Sequence, residues 1–141
     1  MYESLGAAPM GISMFVRFVT PIVHPRSRVA CGLFRAFSLY EDDGLIPECY
    51  DDRIEELCDW FNANLPVPDR LSRPIGRFRI VYGISWLRPS ATEHISYMWD
   101  LAAVYEACGI PVELLTTSYP GHILYEDDFQ IVAEPALGAA R

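Results

Sequence analysis

Apolar residues recur along this chain in two rhythms, one of period two and one of period three to four. Met14–Thr20 (MFVRFVT) alternates as a strand does, with Phe15, Arg17 and Val19 on one side and Val16, Phe18 and Thr20 on the other. An Arg inside so apolar a run implies a face only partly buried, or an Arg with a defined acceptor. Pro21 and Pro25 are expected to break the strand. From about Arg26 to Tyr40, Val29, Ala30, Leu33, Phe37 and Tyr40 fall at three- and four-residue steps and predict an amphipathic helix, with Gly44 as its stop. A second helix is predicted from Glu48 or Tyr50 to Leu65, burying Tyr50, Ile54, Leu57, Cys58 and Phe61 and ending before Pro66. Ser90-Ala91-Thr92-Glu93 fits a capping box, the start signal for a third helix that buries Ile95, Met98, Ala102 and Tyr105 and stops at Cys108-Gly109.

Between and after these helices lie strand patterns. Asp69–Arg77 reads as an irregular loop, and Arg79–Leu87 as one buried strand with a bulge or close backbone approach at Gly83. Pro111–Thr116 is a strand that a right-handed helical crossover would set parallel to its predecessor. Tyr119-Pro120-Gly121-His122 has the residues of a type II turn, and His122–Tyr125 with Phe129–Glu134 forms a hairpin about Glu126-Asp127-Asp128. The expected fold is α+β, a mixed four- to five-stranded sheet with three helices on one face, in the order β-α-α-β-α-β-β-β. Residues 1–13 read as a flexible leader, 14–135 as a single domain and 136–141 as a tail, and Met14 is an alternative start to Met1.

Composition narrows the class. A chain of 141 residues that is 51% hydrophobic has the material for one packed core and is not a disordered segment. No apolar run approaches the roughly 20 residues of a membrane-spanning helix. The formal charge is −8, and all 11 basic residues are Arg. Nine acids between Glu41 and Asp59 are offset only by Arg53, so this segment carries the whole net charge and the remainder is neutral. That balance disfavours a general phosphate-backbone binder. Cys31, Cys49, Cys58 and Cys108 lack C-x-x-C spacing and a nearby His pair, so no zinc or redox motif is expected. Reduced thiols and an N-terminus without a basic signal region point to the cytoplasm.

Candidate chemistry is sparse. His94, with Glu93 beside it and Trp86 and Arg88 shortly before, lies where a strand end and a helix start would meet an anionic ligand. His122 follows the predicted turn and is a second candidate for acid–base work, whereas His24 is assigned to the approach to the first helix. No His stands at ligand spacing from another His or Cys, so no metal is expected. Glu126-Asp127-Asp128 reads as a soluble hairpin tip in preference to a divalent-ion contact. Phosphate-loop, dinucleotide and nucleophile-elbow patterns are absent from the sequence, so no cofactor is expected. The acidic helix (Asp52, Glu55, Glu56, Asp59) and an Arg loop (Arg70, Arg73, Arg77, with Arg79) supply the strongest surface features.

These features favour a non-catalytic binding protein over an enzyme. Its partner would be another protein or a second copy of itself, met by the acidic helix, the Arg loop and the aromatics Trp60, Tyr97 and Trp99. Neither a membrane nor a nucleic acid is the expected partner. The alternative is a small enzyme or ligand-binding domain for an anionic metabolite, using Trp86, Arg88 and His94. A second alternative is an acidic inhibitor of a nucleic-acid-binding protein.

The stretch Gly83–Pro135, with its S-W, A-T-E-H-I and G-I-P-V segments and its P-G-x-I-x-Y-E-D hairpin, resembles a group of small uncharacterised bacterial proteins. His122 and Leu124 stand where that group carries an aromatic and a Val or Ile. The resemblance implies a bacterial, intracellular origin and brings no activity or functional residue with it.

Overall fold

The structure is a computed structural model and describes residues 14–23, 30–42, 44–68, 72–75, 77 and 79–135. The expected leader and tail, and His24, lie outside these residues. Strands are β1 (Phe15–Val23), β2 (Ala30–Gly32), β3 (Ser72–Ile75), β4 (Arg79–Tyr82), β5 (Ile84–Leu87), β6 (Glu113–Thr117), β7 (His122–Glu126) and β8 (Gln130–Glu134). Helices are α1 (Leu33–Asp42), α2 (Asp51–Asn64, preceded by a 3-10 turn at Glu48–Tyr50) and α3 (Thr92–Ala107). The fold is α+β.

The main sheet runs β2-β1-β5-β8-β7, with β6 also paired to β1. Each of its pairings is antiparallel. The expectation of a mixed sheet is therefore corrected. Strands β5 and β6 are joined by α3 and do point the same way, as a crossover requires. They are not neighbours, because β1 lies between them and runs opposite to both: Val16 faces Leu87 of β5, and Phe15–Val19 face Thr117–Glu113 of β6. The inserted strand comes from the start of the chain, a long-range pairing that local pattern does not encode.

The observed element order also departs from the expected one. Ala30–Gly32, assigned to the first helix, instead forms β2 against the end of β1, so α1 starts at Leu33. The register shift between Val19 and Val23 lets β1 continue through Pro21, whose missing N–H falls past the last residue paired to β6. Ser72–Ile75, expected as irregular, pairs with β4 in a separate two-stranded sheet. The single strand expected over Arg79–Leu87 is divided at Gly83, where the chain passes from that hairpin into the main sheet.

Helix boundaries follow from local chemistry. Both α1 and α3 end in a glycine of left-handed conformation, Gly44 (φ 72°) and Gly109 (φ 83°). After α3 the Gly109 N–H donates to the Glu106 carbonyl (3.0 Å) and the Ile110 N–H to the Tyr105 carbonyl (3.0 Å). This is the Schellman closure, sealed by the buried Ile110. Leu65, extended before Pro66, ends α2 as its position predicts. The capping box does not form: the N-cap of α3 is Ala91, with no side-chain cap bond. Arg88–Ala91 closes a turn through the Ala91 N–H and the Arg88 carbonyl, which places Ser90 one residue too early.

One face of the sheet carries the helices. Phe18 and Leu87 pack there against Leu33 and Ala36 of α1, Ile54, Leu57 and Phe61 of α2, and Met98, Leu101, Ala102 and Tyr105 of α3. The Tyr105 hydroxyl, pushed well up from its ordinary pKa chiefly by burial, donates to the Leu33 carbonyl and ties α3 to the start of α1. Phe15, Ile84, Trp86, Leu115 and Ile131 cluster on the opposite face. Arg17 on that side donates to the Ser85 carbonyl at 3.2 Å, a defined acceptor of the kind its apolar setting calls for. No helix among the described residues is long and apolar enough to cross a membrane.

Candidate interaction surface

Helix α2 has two differentiated faces. Ile54, Leu57 and Phe61 are buried in the core. Asp52, Glu55, Glu56 and Asp59 are all exposed, and their i, i+3, i+4, i+7 spacing places them in one stripe on the side away from that core. Arg53 donates to Glu56 (3.1 Å) and approaches Asp100 of α3 (3.7 Å). Among the described residues Asp52, Glu55 and Asp59 have no basic partner. Each acid of the stripe therefore stands one helical turn from a like charge, an arrangement that costs about 0.2–0.5 kcal/mol per pair in an isolated helix.

The seam between α2 and α3 is aromatic. Trp60 stacks on Tyr97 with ring centroids 4.0 Å apart and planes 17° from parallel, and both rings are half-buried. Trp60 also meets Phe61 edge-on at 5.0 Å. Trp99, half-exposed, stands edge-on to Phe18 at 4.9 Å. The helical layer thus offers an acidic stripe bordered by a pair of stacked rings.

His94 is buried, with 4% of its surface exposed. Its ring lies between Trp60 (4.9 Å) and Phe129 (4.4 Å), and its Nε2 bonds the Asn64 carbonyl at 2.8 Å. Glu93, one residue earlier, is exposed. Arg88 turns to the β7–β8 hairpin, donating to the Glu126 carboxylate (2.7 Å) and the Asp127 carbonyl (2.7 Å). Both His94 and Arg88 therefore meet the same hairpin turn, as side chains bonded within the fold. Trp86 is not with them: successive strand residues point to opposite faces, so Leu87 joins the helix-side core and Trp86 the other cluster. His122 is exposed on β7 opposite Glu134.

Asp127, which the sequence presents only as one acid of a soluble hairpin tip, organises the hairpin. Its Oδ1 accepts from the Phe129 (2.8 Å) and Gln130 (3.0 Å) amides, and its Oδ2 from the Tyr125 hydroxyl (2.7 Å) and Gln130 Nε2 (3.1 Å). Burial works against its ionisation, but these donors outweigh burial and hold its carboxyl below the ordinary Asp range. Gln130 in turn donates to the Pro66 carbonyl (2.7 Å), pinning the hairpin to the end of α2. The only local signal was an Asp two and three residues before two amides, the pattern of an Asx turn. No group of three or more metal-ligating side chains occurs among the described residues.

Of the expected Arg loop, Arg70 lies outside the described residues, Arg73 belongs to β3, and Arg77 is exposed in the β3–β4 turn. Cys49 is exposed, whereas Cys58 and Cys108 are half-buried thiols whose pKa burial raises, with Asp59 and Cys49 respectively adding to it. No protein-family model matches this chain, and neither a curated protein nor a solved structure matches it.

Proposed function

We propose that this protein is a cytoplasmic protein-binding protein whose α2 face receives a basic partner. The observation that carries the reading is the exposed stripe Asp52, Glu55, Glu56 and Asp59, set opposite the buried face of the same helix. Like charges held one turn apart weaken the free protein, and a cationic partner relieves that cost on binding. The Trp60–Tyr97 stack beside the stripe supports the same partner chemistry, because a guanidinium stacks on such rings. The Arg-rich stretch of sequence with Arg70, Arg73 and Arg77 is a second, oppositely charged segment for the same or another partner.

Titration with a synthetic Arg- and Lys-rich peptide, followed by Trp fluorescence and calorimetry, tests the reading. The expected result is binding that weakens with salt and is lost when Asp52, Glu55, Glu56 and Asp59 are changed to their amides. A control that neutralises Glu113 and Asp128 should bind like the unmodified chain. Equal binding by the stripe variant and the unmodified chain, or equal losses in stripe and control variants, overturns the assignment.

A further inference from the structure

The two lateral edges of the main sheet are built differently. Edge strand β7 is interrupted by a register shift between Ile123 and Tyr125 and is flanked by the Arg88–Glu126 ion pair and the acids Asp127 and Asp128. Bulges and charges are the devices by which a sheet edge is kept from pairing with another chain. Strand β6 has no such shift and far less charge. Glu113–Thr117 pairs with β1 through five consecutive residues in unbroken register, and its other side has no strand partner among the described residues. It contains no Pro, no basic residue, and a single charge at its first position. Leu114, 40% exposed, is the cross-strand neighbour of Phe18, and Trp99, 51% exposed, stands edge-on to the same Phe18 on the helix side.

We infer that β6 pairs with β6 of a second copy of this chain, in antiparallel fashion about a two-fold axis at Leu115, joining two sheets into one. That register sets Leu114 against Thr116 of the second copy and Glu113 against Thr117, so no acid faces an acid. The acidic stripe does not oppose the joint. Helix α2 lies beyond α3 from this edge, touching α3 through Trp60–Tyr97 and Arg53–Asp100 and reaching β8 through Pro66 and Gln130. The strand is self-complementary in charge, and the exposed Leu114 lies in the joint. This surface is separate from the α2 stripe, so either reading can fail without the other.

Light scattering over a concentration series, with hydrogen exchange of the β6 amides measured alongside, tests the pairing on the full chain. The expected result is a dimer whose Glu113–Thr117 amides gain protection as concentration rises. Leu114→Lys combined with Thr116→Lys should give a folded monomer, and Ile123→Lys on the β7 edge a dimer. Mixing the double Lys variant with one carrying Leu114→Glu and Thr116→Glu should restore a mixed dimer, which separates lost pairing from lost folding. A chain monomeric at every soluble concentration overturns the inference. So does a dimer indifferent to the β6 charges, or β6 protection independent of concentration, which would mean that the chain covers its own edge.

Discussion

The His94 imidazole donates from Nε2 to the backbone carbonyl of Asn64 at 2.8 Å, which joins the first turn of α3 to the last turn of α2. A carbonyl only accepts, so the bond places the proton on Nε2. The ring fills the space between Trp60 and Phe129, which makes it a three-way joint of α2, α3 and the β7–β8 hairpin.

Truncation at this joint should be costly. His94→Ala removes a buried ring and leaves a polar carbonyl without its donor, and a loss of about 2–4 kcal/mol is expected from denaturant unfolding. His94→Gln, whose amide N–H can reach the same carbonyl, should recover part of it. Equal losses in both variants would show that packing alone matters.

Acid sensitivity should be concentrated in the hairpin. Asp127 has its carboxyl held below the ordinary value of 3.8, so its contribution is present above that value and is lost as pH falls from there through the lower folded value. Asp127→Asn keeps an acceptor for the two amides but offers an N–H₂ to the Tyr125 hydroxyl and Gln130 Nε2. The variant should be destabilised by about 1–3 kcal/mol at neutral pH. The gap from the unmodified chain should close as the solution is acidified, measured by urea midpoints across the acid range.

Salt should stabilise this protein. The four close acid pairs of the α2 stripe together cost about 1–2 kcal/mol, and a Debye length near 3 Å at 1 M salt screens them. Sodium chloride should therefore raise the melting temperature of the unmodified chain. Glu55→Gln with Asp59→Asn should raise it at low salt and flatten the dependence. A salt response unchanged in that variant would locate the repulsion elsewhere.

Ser90 should be nearly silent. A working N-cap lost to Ala costs about 1 kcal/mol, but here the cap is Ala91 and the Ser90 side chain is exposed. Ser90→Ala should stay within about 0.5 kcal/mol of the parent, the range of an ordinary surface change. A larger loss on thermal unfolding would mean that the serine caps the helix in solution.

The legible parts of the fold were those whose signal is local. The stripe Ile54–Leu57–Phe61, the pre-proline stop at Leu65 and the glycine closures at Gly44 and Gly109 follow from a few neighbouring residues. Short strands were not legible: Ala30–Gly32 has three residues, and Ser72–Ile75 contains a Pro that reads as loop until β4 is seen beside it. Nor was β1 legible as the strand between β5 and β6, since its partners lie far along the chain. At the candidate surface, the acidic stripe could be read from spacing alone. The burial of His94 and the separation of Trp86 from it depend on which sheet face each residue meets, and that is set by tertiary pairing.

The central position of β1 has a consequence for synthesis. Phe15–Val19 are synthesised before the residues that bracket them, Leu87 and Glu113–Thr117, which follow some 70 to 100 residues later. Until β6 emerges, the side of Phe15–Val19 that it covers has no strand to pair with, and before Leu87 only β2, at Gly32, can reach β1. Completion of the sheet around β1 waits for β6, and the interval before it is the time in which that side of β1 is open to chaperones or to aggregation.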